Sequence, residues 1–124
     1  MAIIKAVNSK SSIARAINYI TKAEKTEKKL ISGIDCNPET AIDEMKATKE
    51  LYDKNDGRQY AHFIQSFNPK DNISPEKAHE IGKEFIEKND KFKGHEIVLA
   101  THKDKDHIHN HFITNSVHYE NGRK

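Results

Sequence analysis

Apolar residues recur along the chain with two spacings that predict a mixture of strands and helices. Apolar, β-prone residues fill positions 2–7 and 30–34, which predicts two strands. Between them, Ile13, Ile17 and Ile20 fall on one helical face, and Ser11-Ser12 can cap a helix that continues to about Lys22. A charged connector over residues 22–29 leads to the second strand.

Two helix starts in the middle of the chain share one pattern. Asn37-Pro38-Glu39 and Ser74-Pro75-Glu76 each place a capping residue, a proline at the first helical position and an acid in the first turn. We expect the first helix to reach about residue 55, before Asp56-Gly57, and the second to reach about residue 91. Their inward-facing residues are predicted to be Ile42, Met45 and Tyr52 in the first and Ala78, Ile81 and Phe85 in the second.

Three further strands complete the predicted fold. Residues 59–67 alternate and are rich in aromatic side chains, residues 96–102 have a continuous apolar centre, and residues 107–118 follow after a polar turn. The last two are close enough in sequence to form a hairpin. The predicted fold class is α+β: one domain over residues 1–124, with an antiparallel sheet of four to five strands and helices packed on one face.

Composition narrows the class of protein. The 124 residues include a single cysteine, Cys36, which excludes the disulfide-rich secreted class. No run of 18 apolar residues exists, and the first residues lack the apolar core of a signal peptide, so we expect a cytoplasmic location. Residues 1–34 hold seven Lys/Arg against two Glu, whereas the remainder holds fourteen basic and seventeen acidic residues. The basic end is therefore the first candidate for contact with a polyanion.

Histidine is the most over-represented residue type, because six of the eight lie between His95 and His118. In a strand, His107, His109 and His111 would share one face, and two of them at i and i+2 could bind one divalent ion. His102 at the end of the preceding strand could add a third ligand. Asn115 would share that face, and Asp104 and Asp106 in the turn could orient an imidazole. The alternatives are a solvated histidine-rich strand, or a structural zinc site, which usually recruits cysteine.

Residues 101–115, Thr-His-Lys-Asp-Lys-Asp-His-Ile-His-Asn-His-Phe-Ile-Thr-Asn, resemble the third motif of plasmid mobilisation relaxases of the MobP class, which are HUH-type endonucleases. Aligned through the aspartates and the final Asn, the motif's histidine pair falls on His109 and His111, with His102 as third ligand. The residue between the pair is usually apolar in that family, and here it is Asn110. Pairing His107 with His109 restores an apolar residue but loses the spacing to the Asn, so His107 is held as a substitute ligand.

The segment 16–22, Ala-Ile-Asn-Tyr-Ile-Thr-Lys, resembles the family's nucleophile segment and points to Tyr19. Tyr19 lies off the predicted apolar stripe, and its helical neighbours are Arg15 and Lys22, cations that stabilise a phenolate and can hold a phosphate. Residues 62–69 also resemble the family's middle motif, although a strand followed by a helix cap explains much of that pattern.

The resemblance implies a nuclease that nicks one DNA strand at a transfer origin through a 5′-phosphotyrosine on Tyr19. It implies a divalent ion on His102, His109 and His111, either Mn²⁺ or another transition ion, or Mg²⁺. Asp104 or Asp106 would polarise a histidine or accept a proton. Single-stranded transfer-origin DNA is the expected partner, with auxiliary relaxosome proteins. Its phosphates would contact Lys5, Lys10, Arg15, Lys22, Lys25 and Asn115.

Two other functions remain open from sequence. A rolling-circle replication initiator shares the metal motif, but its tyrosine commonly follows that motif, where this chain has Tyr119. A non-catalytic, metal-stabilised DNA-binding module would form no covalent adduct. The polar turn over residues 120–124 resembles a connector, so we expect a longer relaxase domain beyond it and a sheet flank that invites self-association.

Overall fold

The computed structural model describes residues 2–7, 11–103 and 107–124, and within these ranges it contains five strands and three α-helices. The α+β class and the antiparallel sheet predicted from sequence are confirmed. No helix in the described ranges has the length and apolar character needed to cross a membrane. In chain order the elements are β1 (Ala2–Val7), α1 (Ile13–Ile20), β2 (Ile31–Ile34), α2 (Ala41–Leu51), β3 (Tyr60–Phe67), α3 (Pro75–Lys88), β4 (Ile97–His102) and β5 (His109–Asn115).

The strands form one sheet in the order β1-β3-β5-β4-β2, and every neighbouring pair is antiparallel. The predicted hairpin between β4 and β5 is present, with Ile97 opposite Thr114 and His102 opposite His109. β5 therefore occupies the centre of the sheet, between β3 and β4. Any side chain on β5 has two neighbouring strands beside it.

The helices lie on both faces of the sheet, and the expectation that they pack on one face is wrong. α1 and α2 cover the front face, where Ile17 and Met45 contact a core that includes Val98 and Ile113. α3 covers the reverse face, where the core includes Leu99 and Phe112. The physical reason is visible in β4, whose six residues are all buried. A strand with a continuous apolar centre needs a layer on each side.

The starts of α1 and α3 agree with their predicted serine caps, whereas the bounds of α2 do not. Ser12 and Ser74 each accept a hydrogen bond from the backbone N–H three residues later, which confirms both predicted caps. The helix start predicted at Asn37-Pro38 is wrong, because Asn37 accepts the N–H of Glu39 in a turn and α2 begins only at Ala41. α2 and α3 also end earlier than predicted, at Leu51 and Lys88.

Candidate metal and nucleic-acid site

The sheet register places the histidines in two adjacent rows on the front face. One row contains Ser66, His109 and His102 on β3, β5 and β4, and Ile3 of β1 continues it. The next row contains Lys5, Ile64, His111 and Ala100. Residues directly opposite one another point to the same face, so the histidines share the face that carries α1.

The imidazole rings form a compact cluster. The rings of His102 and His111 stack with centroids 3.9 Å apart, and the centroid of His109 lies 6.3 Å from that of His111. His102 and His111 are buried, whereas His109 is partly exposed. His107 precedes β5 and is exposed, and its ring centroid lies 6.1 Å from that of His109.

A fourth histidine, His62 of β3, completes the cluster. Its Nε2 lies 3.0 Å from Nδ1 of His111, within hydrogen-bond distance. Sequence reasoning placed His62 in the middle motif without assigning it to the site. The available signal was strand alternation combined with an antiparallel partner, but the pairing of β3 with β5 joins segments about 50 residues apart and was not predictable from local spacing.

Helix α1, which carries Tyr19, contacts the histidine cluster at its last residue. The Nε2–H of His102 donates to the backbone carbonyl of Ile20, the last residue of α1, at 2.9 Å. In the neutral ring this bond assigns the proton to Nε2 and the lone pair to Nδ1. The orientation of His102 is therefore fixed by the end of the helix that carries Tyr19, as a ligand histidine is commonly fixed by a carbonyl.

Burial keeps the rings of His111 and His62 neutral. Desolvation lowers the pKa of His111 to about 2, and the neighbouring charges of His102 and His62 act in the same direction. Desolvation also lowers the pKa of His62, with His102 adding to the effect. Because a metal binds the deprotonated imidazole, these two rings are in the binding form at neutral pH.

The donor set fits a divalent transition ion in its chemistry. Three imidazoles from two paired strands lie together on one face, and imidazole suits transition ions better than it suits Mg²⁺. Among the described residues, no three His, Cys, Asp or Glu side chains are already arranged around a common point. The stacked rings of His102 and His111 account for this, because two imidazoles that bind one ion point their nitrogens at it.

Tyr19 lies on the exposed side of α1, next to the cluster. Its ring is edge-on to His102, with centroids 6.2 Å apart, and the side chain is 43% exposed. The Nζ atoms of Lys22 and Lys25 lie 5.8 and 5.2 Å from the Tyr19 ring centroid. A phenol, two ammonium groups and a histidine therefore meet where α1 ends over the sheet.

The other predicted site residues lie on β1, on α1 or outside the described residues. Lys5 lies on β1 in the row of His111, and Arg15 is exposed on α1. Asp104 and Asp106, like Lys10, lie outside the described residues.

Asn115 requires a correction, because it is buried and is not placed to contact DNA. Its Oδ1 accepts from Nζ of Lys49 at 2.5 Å, and its Nδ2 donates to Glu96 at 3.0 Å and to the carbonyl of Met45 at 3.2 Å. Strand alternation correctly put Asn115 on the histidine face, but α2 covers that end of the face.

The fold and site define an α+β domain with a histidine cluster on its central strands and a helix-borne tyrosine beside it. The family model described as "Relaxase: MobA/VirD2-like, nuclease domain" matches residues 19–124, and the chain belongs to this family. No solved structure matches the chain.

Relatives agree with this assignment. The chain is 43% identical over 124 residues to "Protein rlx" of Staphylococcus aureus, covering all of this chain and 37% of the relative. It is 40% identical over 104 residues to "Group II intron-interrupted relaxase LtrB" of Lactococcus lactis subsp. cremoris (strain MG1363), covering 82% of this chain and 18% of the relative. The chain thus spans about a third or less of the length of these relatives.

Proposed function

We propose that this domain nicks one strand of single-stranded DNA at the transfer origin of a plasmid or integrative element. The observation that carries the proposal is the position of Tyr19, edge-on to His102 and flanked by Lys22 and Lys25. A nucleophile, a candidate metal cluster and phosphate-binding cations occupy one surface. A nucleophile, a bound cation and charged side chains near the phosphate each lower the barrier to phosphoryl transfer.

Tyr19 is the nucleophile. Its phenol oxygen forms a bond to the scissile phosphorus as the bond from phosphorus to the 3′ oxygen breaks. The phenol loses its proton and the departing 3′ oxygen gains one, which leaves a 5′-phosphotyrosine and a free 3′ hydroxyl. The reverse of the same exchange rejoins the strand. Lys22 and Lys25 stabilise the negative charge that the phenol oxygen and the phosphate carry during this step.

His102, His109 and His111 would hold the divalent ion, with His107 as the substitute ligand and His62 orienting His111 from β3. If Mn²⁺, Mg²⁺ or another divalent ion were bound by these histidines, it would supply positive charge beside the scissile phosphate. The carbonyl of Ile20 keeps His102 in a single orientation, so the ligand geometry and the nucleophile's helix are mechanically linked. Asp104 and Asp106 remain candidates for orienting a histidine or accepting the phenol proton.

The DNA strand would cross the front face between α1 and β1. Lys22 and Lys25 border the cluster on the helical side, and exposed Lys5 borders it on the β1 side, two strands or about 10 Å from His111. Arg15, one helical turn before Tyr19, extends the cationic edge. Cations on both sides of the histidines suit a single strand laid over the cluster.

The position of Tyr119 argues against a rolling-circle initiator. Tyr119 follows β5, whose histidines are at the opposite end of the strand, about 20 Å away along the backbone. Its hydroxyl donates to Asp35 at 2.9 Å. A tyrosine there cannot reach a phosphate held over His109, whereas Tyr19 is adjacent to His102. A non-catalytic module gives no reason to place a phenol between two lysines beside this cluster.

The test is a strand-transfer assay with the transfer-origin DNA of the element that encodes the chain. The protein is incubated with the single strand and Mn²⁺, and adducts that survive denaturation are separated on a gel. We expect an adduct on the 5′ phosphate of the downstream fragment, a free 3′ hydroxyl on the upstream fragment, and loss of both with a chelator. A chain that binds the strand and Mn²⁺ but forms no adduct is a non-catalytic module.

A further inference from the structure

A line of hydrogen bonds crosses the reverse face of the sheet directly behind the histidine cluster. It joins four strands and α3, with heavy-atom distances between 2.6 and 2.9 Å. Thr101 immediately precedes His102, and Asn110 lies between His109 and His111. The members are Ser32 of β2, His79 of α3, Thr101 of β4, Asn110 of β5 and Gln65 of β3.

The direction of every bond in this reverse-face line can be assigned. The Asn110 atom 2.7 Å from the carbonyl of Ala78 must be the donor Nδ2, which also donates to Gln65. Oδ1 of Asn110 therefore accepts the Thr101 hydroxyl proton at 2.6 Å. The Thr101 oxygen then accepts from Nδ1–H of His79, and Nε2 of His79 accepts from the Ser32 hydroxyl.

Four of the five members of the line are buried and Ser32 is half-buried, so water does not substitute for the inner members. Thr101 and Asn110 are fully buried, and Gln65 and His79 are 4% and 5% exposed. Burial lowers the pKa of His79 to about 4, with the charge of Lys83 adding to the effect, so the ring is neutral and keeps one tautomer at neutral pH. A fully satisfied buried network of this kind fixes the relative positions of the elements it joins.

Helix α3 leaves room for the Asn110 amide. A Cβ added to Gly82 would lie 2.8 Å from Nδ2 of Asn110 and 3.1 Å from a methyl of Leu99. A glycine inside a helix destabilises the helix relative to alanine. Gly82 therefore lowers the stability of α3 at the point where the helix crosses Asn110. This cost indicates that the position of the Asn110 amide matters to the fold.

We propose that Thr101 and Asn110 are positioning residues for the histidine cluster. Their hydrogen bond joins β4 to β5 one residue away from the opposed pair His102 and His109, and thereby fixes how closely the ligands of the two strands approach. The inference rests on the proposed function, in which these histidines hold an ion. It also gives a reason for an amide at Asn110, where the MobP-class motif usually has an apolar residue.

The test compares two changes at one position. Thr101→Val keeps the shape of the side chain but removes the hydroxyl, and Thr101→Ser restores the hydroxyl. Titration calorimetry with Mn²⁺ should show about tenfold weaker binding for Thr101→Val, the lower end for changes in the hydrogen-bond partners around a metal site. The Mn²⁺ affinity of Thr101→Ser should lie within about twofold of that of the unmodified chain, because only a methyl group is lost. Ile97→Val, on the same strand and face but outside the line, should lower the melting temperature without changing Mn²⁺ affinity.

Imidazole ¹⁵N spectra of the metal-free protein supply a readout independent of metal. We expect the His102 and His109 ring signals to move in Thr101→Val and to return in Thr101→Ser. Unmoved signals together with unchanged Mn²⁺ affinity in Thr101→Val overturn the positioning role alone. If the unmodified chain binds no Mn²⁺, the proposed function fails, and the spectra then decide whether the line positions these histidines.

Discussion

At the scale of single residues, the histidine cluster combines two buried rings with one partly exposed ring. His102 is buried against the end of α1, His111 is buried against the His102 ring, and His109 lies nearer the strand end and solvent. Burial excludes water from two of the proposed ligands, and the exposed side of His109 is open to solvent. Catalytic metal sites keep such an open position, whereas structural sites are closed.

The double change His109→Ala and His111→Ala should abolish Mn²⁺ binding and nicking together, because a single ligand, His102, remains of the three. Titration calorimetry and the adduct assay measure the two effects. His95→Ala is the matched control, since His95 lies at the opposite end of β5 with its Nδ1–H donating to the carbonyl of Asn115. Retained Mn²⁺ affinity in the double variant would mean that the ion binds elsewhere.

The buried charge of Lys49 should make stability depend on pH in the alkaline range. It is 2% exposed, and burial lowers its pKa to about 8 from an ordinary value of 10.5. The unfolded chain therefore binds more protons than the folded chain between about pH 8 and 10.5, so stability rises with pH in that window. Relative to Lys49→Met, the unmodified chain should gain up to about 3 kcal/mol. Urea unfolding of both proteins from pH 7 to 10 tests this, and a constant difference contradicts it.

At the scale of elements, the chain after β5 is anchored to the segment before β4. The N–H of Tyr119 donates to the carbonyl of Gly94 at 2.8 Å, and the ring of His118 occupies the space where a Gly94 side chain would be. Gly94 also has a φ of 83°, in the region that favours glycine. These contacts connect the last residues of the chain to the start of the hairpin that carries the histidines.

Gly94→Ala should therefore destabilise the domain more than Gly57→Ala. Gly57 has a similar φ of 77°, but an added Cβ there meets only the end of the Lys124 side chain. The left-handed backbone costs alanine about 1–2 kcal/mol at either position. Overlap with His118 should add about 1–3 kcal/mol at Gly94. Thermal unfolding of the two variants gives the difference, and equal losses would show that His118 does not fill this space in solution.

Elements governed by local signals were predictable from sequence. The serine caps of α1 and α3, the isoleucine stripe of α1 and the β4–β5 hairpin depend on residues close together in the chain, and all are present. The split of the helices between two faces, the role of His62 and the burial of Asn115 were not predicted. Each depends on contacts between distant segments, such as α2 over the end of β5, which local periodicity does not encode.

At the scale of the whole molecule, the front face is the surface expected to contact DNA. Lys5, Lys22 and Lys25 surround the histidine rows, whereas Lys88 lies on α3 across the sheet and pairs with Glu84. Binding of a single strand should weaken as salt rises, because phosphate contacts release counterions.

Replacing Lys5 or Lys25 by alanine should make the slope of log affinity against log salt shallower by about 0.7 for each lost contact. Lys88→Ala should leave the slope unchanged. Fluorescence anisotropy of a labelled single strand at several salt concentrations measures it. Equal slopes in all variants would place the DNA on another surface.

The most direct measurement is the identity of the residue that becomes joined to DNA. After incubation with the transfer-origin strand and Mn²⁺, nuclease digestion and mass spectrometry of the peptides should place a nucleotide 5′-phosphate on Tyr19. Tyr19→Phe, which removes only the hydroxyl, should abolish the adduct and leave Mn²⁺ and DNA affinity unchanged, whereas Tyr119→Phe should form the adduct normally. An adduct that persists in Tyr19→Phe, or that maps to Tyr119, would contradict the assignment of Tyr19 as the nucleophile.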